Sequence, residues 1–242
     1  MAEVHVFGVM GARTTAPPTT RAIVHGDLAA IVQDAESTRV AATQLLRAHS
    51  RVLEAAAAEA TVLPVRFGTA MADDAAVVEQ FLRPQHDELA ARLAGLEGKV
   101  QLTVKAFYEE EALLRGVVAE SPSIARLRER VRALPEAAGY YERIRLGELV
   151  GAAVERARDR DAALVLGRLE PLATAASREP PSTPDCAVNA SFLVERDRVD
   201  AFSRAVSALG AELAERMRLR YLGPLPPYSF TDDETAREAA WA

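Results

Sequence analysis

The sequence is poor in cysteine, lysine and tryptophan. One cysteine, Cys186, and one tryptophan, Trp241, occur in 242 residues. A single cysteine excludes an intrachain disulfide and suits a reducing cytosol. Only two of the 29 basic residues are lysine, Lys99 and Lys105, a bias that reads as that of an Arg- and Ala-rich proteome. Positive charge is in deficit. With a net charge of -6 the chain has no cation excess to release counterions from a polyanion, so nucleic-acid binding by bulk electrostatics is excluded. Long apolar runs are lacking too. None approaches the roughly 18 residues of a membrane span, and nothing at the N-terminus reads as a signal peptide, so a cytoplasmic protein with no membrane partner is expected.

What remains is a soluble globular composition, 49% hydrophobic and 26% charged, in a chain long enough for one large domain or two moderate ones. Glu3 to Val9 reads as an interior strand, with Val4, Val6 and Gly8 on one face and His5, Phe7 and Val9 on the other. Ala22–His25 and Leu28–Gln33 flank Gly26-Asp27, the order that suits a type II′ hairpin. A helix is expected from an N-cap at Thr38 to about Ala60, with His49 on its apolar stripe as a core or boundary residue. A second should run from about Asp73 to Gly95, kinked or divided at Pro84. This first domain, β-β-β-α-β-α, should end at Gly95–Gly98.

Beyond that hinge Lys99 to Tyr108 alternates as a strand. Glu109–Glu120 and Ser123–Ala133 read as short helices, and a long helix should run from Gly139 towards Ala176, with Glu155–Asp161 as a solvated charge run. Arg178–Asp185, with three prolines, reads as a loop. Cys186–Val194, a helix capped by Asp197, and Met217–Tyr221 form a β-α-β unit. The class is therefore α+β (mixed α/β) in two domains: residues 1–97, an N-terminal α/β domain, and 98–230, a ferredoxin-like domain, followed by a tail, 231–242.

Chemistry is hard to find. The four histidines lack paired metal-ligand spacing, and Cys186 sits on an apolar strand face as a buried thiol. Gly8-Val9-Met10-Gly11 lacks the Gly-Lys-Ser/Thr of a phosphate loop, and the Glu109–Glu111 triplet is explained by a helix N-terminus. No catalytic, cofactor-binding or metal-binding residue is assigned. Two stretches stand out instead. In Val62–Thr69, Leu63, Val65 and Phe67 alternate as a strand facing a core. Pro64 requires that strand to sit at an edge or to begin at Pro64, and Arg66 projects from the opposite face. In Tyr221–Phe230 three prolines stiffen a segment bearing Tyr228 and Phe230, either a tail folded onto its own domain or a preformed contact for another protein.

Val62-Leu63-Pro64-Val65-Arg66-Phe67-Gly68-Thr69 and Gly223-Pro224-Leu225-Pro226-Pro227-Tyr228-Ser229-Phe230 together resemble the two signature motifs of the gas vesicle protein GvpL/GvpF family. His49 upstream of Val52-Leu53, the strand at Gly98-Lys99-Val100, and Gly139-Tyr140-Tyr141 fit as well. Two positions depart from the pattern: Gln101, where an acidic residue is frequent, and Leu225, where tryptophan is frequent. The resemblance implies an N-terminal α/β domain, a modified ferredoxin-like C-terminal domain with a long helical insertion, and a role in forming gas vesicles. A wall subunit must turn an apolar face to gas, which this charged chain cannot do, so the implied role is an accessory one without catalysis or cofactor. The implied partners are the hydrophobic main shell protein and other accessory proteins, and the implied location is the gas vesicle in the cytoplasm. Pro64, Arg66, Phe67, Tyr221, Pro226, Pro227, Tyr228 and Phe230 are the candidates for a partner contact or a domain seam. A small-ligand-binding or enzymatic ferredoxin-like protein is the alternative.

Overall fold

A computed structural model describes residues 3–35, 41–135 and 139–231 of the chain. Its described residues form nine strands and seven α-helices, arranged as two antiparallel sheets with their helices. The chain divides into two compact units. One comprises residues 1–102, 192–197 and 222–242; the other comprises 103–191 and 198–221.

The first sheet contains β1 (Val4–Gly11), β2 (Arg21–His25), β3 (Leu28–Asp34), β4 (Val62–Pro64) and β5 (Ala70–Met71). Its order is β2-β3-β1-β4, with β5 also on β1. β2 and β3 close through Gly26-Asp27, and Gly26 takes φ +62°, as the first turn position of a type II′ hairpin requires. β1 is buried on both faces, as its sequence suggests, but its phase changes midway. The register with β3 shifts between Val6 and Gly8, so Val9 joins Val4 and Val6 on one face while Met10 joins Phe7 on the other. A strict period of two cannot predict that slip.

Each face has its own helical cover. α1 (Ala42–Glu59) lays Val52, Leu53 and Ala56 on the Phe7 and Met10 face. Gly8 permits this approach, because a Cβ there would stand 2.9 Å from both Leu53 Cδ2 and the Leu63 carbonyl oxygen. The Thr38 cap lies outside the described residues. The opposite face is covered by α2 (Asp74–Ala76), a π-helical turn (Val77–Leu82) and α3 (His86–Gly95), through Val77, Phe81, Leu82 and Leu89. The expected single helix is thus divided at Pro84, and the turn before it is wider than α. There Arg83 N–H donates to the Val78 carbonyl, five residues back, at 2.9 Å.

The second sheet has the order β7-β8-β6-β9, built from β6 (Lys99–Tyr108), β7 (Ala175–Arg178), β8 (Cys186–Glu195) and β9 (Met217–Leu225). With α7 (Val199–Leu213) between β8 and β9, this is the ferredoxin-like β-α-β-β-α-β plan. Its first helical connection is enlarged to three helices, α4 (Glu110–Glu120), α5 (Pro122–Ala133) and α6 (Tyr140–Leu169). Three sequence expectations are corrected here. α6 ends at Leu169, because Pro171 sets up a 3-10 turn, and the following residues form β7. Asp197 lies in a 3-10 turn, and α7 starts behind Arg198 without a side-chain cap.

The charge run on α6 is not all solvated. Asp161 is buried. Its Oδ2 accepts from the Tyr108 hydroxyl at 2.7 Å, and its Oδ1 pairs with Arg216 Nη2 at 2.8 Å. Burial, reinforced by the bond to Asp161, pushes the Tyr108 phenol well above its ordinary range, so it remains a donor. Asp161→Ala leaves a phenol and a guanidinium without their acceptor and should cost about 2–3 kcal/mol. Glu155→Ala, on the exposed face of the same helix, should change stability by less than about 0.5 kcal/mol. Chemical denaturation of the two variants measures the difference.

Candidate functional site

The first family-like stretch is a strand, a turn and a strand laid along β1. Val62–Pro64 pair with Met10, Val9 and Gly8, after which Val65 N–H donates to the Phe7 carbonyl at 2.9 Å. Arg66–Thr69 then form a turn closed by Thr69 N–H and Oγ1 on the Arg66 carbonyl, at 3.2 and 2.8 Å. Gly68 takes φ +84°, the left-handed conformation for which glycine is suited. Val6 N–H reaches the Thr69 carbonyl at 2.9 Å, and β5 resumes the pairing with His5 and Val4. Pro64 therefore does sit on an edge strand, but the strand ends there. Leu63 and Val65 face the cluster under α3, as their alternation predicts. The turn sends Phe67 the other way, to the α1 face.

What Phe67 meets there is His49. The two rings are 5.5 Å apart edge to face, and the opposite side of His49 stacks on Phe7 at 5.1 Å. His49 is buried and hydrogen-bonds the Val65 backbone. Burial depresses its pKa to about 4, partly offset by the Val65 bond and aided by nearby His5. The imidazole is therefore neutral at physiological pH and acts as a fixed aromatic support for the turn. Above it Arg66 is exposed and makes no ion pair among the described residues.

The second stretch comes to the same helix. Gly223, at φ +130°, crosses close to β6, where a Cβ would stand 2.8 Å from the Gln101 carbonyl oxygen. Pro226 and Pro227 are buried, and Tyr228–Phe230 form a 3-10 turn held by Ser229 N–H on Gln101 Oε1 at 2.8 Å. Tyr228 packs on the cluster of Phe7, Met10 and Val62; Phe230 packs on the cluster of Leu63 and Phe81. One turn thus serves the clusters on both faces of the first sheet. The Tyr228 hydroxyl is buried beside Ser50 and Glu54 without a well-formed hydrogen bond. Burial foremost, with the Glu54 charge, pushes its pKa up to about 12.

Of the eight candidates, Pro64, Phe67, Pro226, Pro227, Tyr228 and Phe230 are thus structural members of one unit, while Arg66 projects from it. Tyr221 belongs to the other unit, where its hydroxyl lies 2.9 Å from Ser203 Oγ and its ring stacks on Phe202 of α7. Sequence reasoning missed Phe7 as the second wall of the His49 site and Gln101 as the tether of the tail. The register slip in β1 and the distance of Gln101 from Ser229 along the chain hide both.

Among the described residues no three His, Cys, Asp or Glu side chains are placed to hold a metal ion. His86 Nε2 lies 2.8 Å from Asp27 and Nδ1 lies 3.1 Å from Asp87, in a surface cluster that ties the hairpin to α3. Cys186 is buried, as its strand position suggests.

The geometry thus brings the turn of the first family-like stretch and Tyr228 of the second to α1. The family model described as gas vesicle synthesis protein GvpL/GvpF matches residues 5–232. The chain belongs to this family. It is 40% identical over 224 residues to gas vesicle protein F of a Streptomyces species, covering 92% of each chain. It is 28% identical to gas vesicle protein F of a Nostoc species over 193 residues, 79% of this chain and 78% of the relative. The crystal structure of GvpF from Anabaena sp. PCC7120 superposes with a TM-score of 0.82 at 23% identity, covering 96% of this chain and 99% of that one. GvpF from Microcystis aeruginosa gives 0.76 at 22% identity, over 96% and 100%. The fold is theirs, and membership gives the chain a gas-vesicle-related role. No described helix is long and apolar enough to cross a membrane.

The folded pKa of His49 lies below its unfolded value, so its contribution to stability is complete above pH 6.5 and is lost as pH falls towards 4. The loss amounts to about 3 kcal/mol at most. Denaturation curves of wild type and His49→Gln should converge across that window, and parallel curves would show that the ring does not titrate this way. Gly223→Ala, strained and set against the Gln101 carbonyl, should cost about 2 kcal/mol or more in the same assay.

Proposed function

We propose that this chain is an accessory protein of gas vesicle formation that binds the hydrophobic main shell protein. It acts without catalysis, as an assembly factor or a minor component of the vesicle, in the cytoplasm where vesicles grow. Other accessory proteins are further partners. Family membership supports the pathway. The charged composition supports the accessory role, since a chain with 26% charged residues cannot supply a gas-facing wall. One observation carries the contact surface. Of the side chains in the two family stretches, Arg66 alone combines exposure, a formal charge and the absence of an ion pair among the described residues, on a turn fixed from below by Phe67, His49 and Thr69. A guanidinium with five donors on a rigid turn is suited to carboxylates or exposed backbone carbonyls of a partner. Tyr228 serves the surface indirectly, by packing on the cluster that α1 covers, while Phe230 fills the cluster of the opposite face.

Co-expression with the shell protein followed by pull-down tests this reading. Wild type should keep shell protein soluble and co-purify with it. Arg66→Ala should fold with an unchanged denaturation midpoint and lose about tenfold in recovered shell protein, equivalent to ~1.4 kcal/mol. If the shell protein stays equally insoluble and nothing co-purifies, the binding reading fails. If Arg66→Ala lowers stability instead, the residue is structural. Urea washing of purified vesicles separates a permanent component, which stays attached, from a transient factor.

A further inference from the structure

β9 is the outer strand of the second sheet, bonded to β6 along one side and to no strand along the other. Glu109 N–H donates to the Arg216 carbonyl at 3.0 Å, which sets the two residues opposite each other. In an antiparallel ladder the following residues alternate, so Arg218 and Arg220 turn their backbone groups towards β6. Leu219 and Tyr221 turn theirs out of the sheet edge, where no backbone group among the described residues meets them. The first sheet ends β4 at Pro64, whereas β9 has no proline from Met217 to Tyr221 and stays open to pairing.

The side chains alternate too. Met217, Leu219 and Tyr221 share the face that meets α7, where Tyr221 stacks on Phe202, and Arg218 and Arg220 stand exposed on the other. Arg216 is paired with Asp161, but Arg218 and Arg220 make no ion pair among the described residues. Arg220 lies over the Phe107 ring at 5.2 Å and beside Lys105. Asp185 feels the charge of Arg218 but hydrogen-bonds Thr183. Between β9 and α7 runs a groove of about 550 Å³, with Ser207, Gly210 and Ala214 on its helical wall and Leu219 and Tyr221 on its strand wall. Glu109 and Arg218 also line it. The helical wall is low, and a Cβ on Gly210 would meet nothing within 4 Å. An unpaired strand edge beside a shallow helical groove is the geometry of β-strand addition.

We infer that this groove takes an extended segment of a partner protein, which adds to β9 as an outer strand and alternates apolar with acidic side chains. The backbone edge selects a polypeptide, because donors and acceptors repeating every second residue match another strand and neither a nucleic acid nor a lipid. Charge selects which polypeptide. Cross-strand neighbours share a face, so residues opposite Leu219 and Tyr221 enter the groove beside α7. Those opposite Arg218 and Arg220 meet two guanidiniums, whose forks match carboxylates. A second copy of this chain fits poorly, since antiparallel pairing of β9 with itself about Leu219 sets arginine opposite arginine. Tyr221, the one sequence candidate outside the first unit, is part of the strand wall. The groove belongs to the second unit and Arg66 to the first, so either reading can fail without the other.

The test uses the full chain and a fluorescent peptide of about eight residues that alternates valine with glutamate. A second peptide has lysine in place of every glutamate, and two more carry N-methyl groups on the valine amides or on the glutamate amides. By anisotropy the acidic peptide should bind about tenfold or more tightly than the basic one, and its affinity should fall with added salt. A ladder uses every second N–H, so methylation of one set should abolish binding and methylation of the other should leave it. Gly210→Phe, which fills the groove, and Arg218→Glu/Arg220→Glu should each weaken the acidic peptide about tenfold with unchanged circular dichroism, and Arg66→Ala should not. Should Gly210→Phe disturb α7, the arginine pair alone decides. Equal binding of the acidic and basic peptides, equal binding of the two methylated forms, or indifference to the substitutions overturns the proposal. Tighter binding after Asp232→Asn/Asp233→Asn/Glu234→Gln would overturn it by giving the groove to the chain's own acidic terminus. Sedimentation in which Gly210→Phe dissociates a dimer would overturn it in favour of self-association.

Discussion

The first unit depends on one constraint, that His49 must be buried as a neutral ring between Phe7 and Phe67. Three segments distant in sequence meet in that stack: the middle of β1, the apolar stripe of α1, and the turn that joins β4 to β5. Each partner is set by a different local device. The register slip between Val6 and Gly8 separates the cluster carried by Val4, Val6 and Val9 from that carried by Phe7 and Met10. Gly8 lets α1 approach, and Gly68 reverses the chain so that Phe67 leaves the face used by Leu63 and Val65. Aromatic contacts of this kind contribute about 1 kcal/mol each beyond the area they bury. Their larger effect is geometric, because a close-packed site transmits its shape to the turn above it.

The second unit is organised by the opposite kind of interaction. Where the first buries an uncharged imidazole, the second buries a carboxylate, Asp161, and satisfies it with a phenol from the end of β6 and a guanidinium near the start of β9. This joins the inserted α6 to two strands of the ferredoxin-like sheet at a single atom group. A buried charge adds little net stability over an apolar substitute, but removing its partners is costly, and that asymmetry fixes register. The three inserted helices need such a pin, because their own core of Val117, Ile124 and Ala153 is small.

How much of this is legible in the sequence depends on whether a segment's signal is local. β6 runs from Lys99 to Tyr108, as its alternation predicts, and the β2–β3 hairpin follows from Gly26-Asp27 alone. The division at Pro84 is legible because a missing N–H is a property of one residue. β7 is not. Ala-Ala-Ser-Arg at a sheet edge has no hydrophobic alternation, and only the partner strand makes it a strand. Asp161 is hidden for a related reason. Within Glu155–Asp161 nothing distinguishes the residue that turns inward, since the helix decides by angle and the sheet supplies Tyr108 and Arg216 from far along the chain. The candidate site divides in the same way. His49, Pro64 and the proline-aromatic turn can be named from sequence, yet their meeting on α1 is visible only through resemblance or structure.

The buried half of that site bears on what its exposed half can do. Binding through a flexible loop spends interaction energy on ordering, about 0.5–1.5 kcal/mol for each side chain immobilised and more for the backbone. At Arg66 the backbone cost has already been met during folding. The Thr69 bonds close the turn, β4 and β5 hold both its ends on β1, and Phe67 anchors it against His49. The proline-aromatic segment packs Tyr228 and Phe230 on the clusters of the two faces of the sheet, Tyr228 on the one that α1 covers. Of the turn, the Arg66 side chain is left exposed. Two motifs far apart in the chain therefore meet in one unit: one exposes a cation on a closed turn, and the other packs on the sheet beneath it.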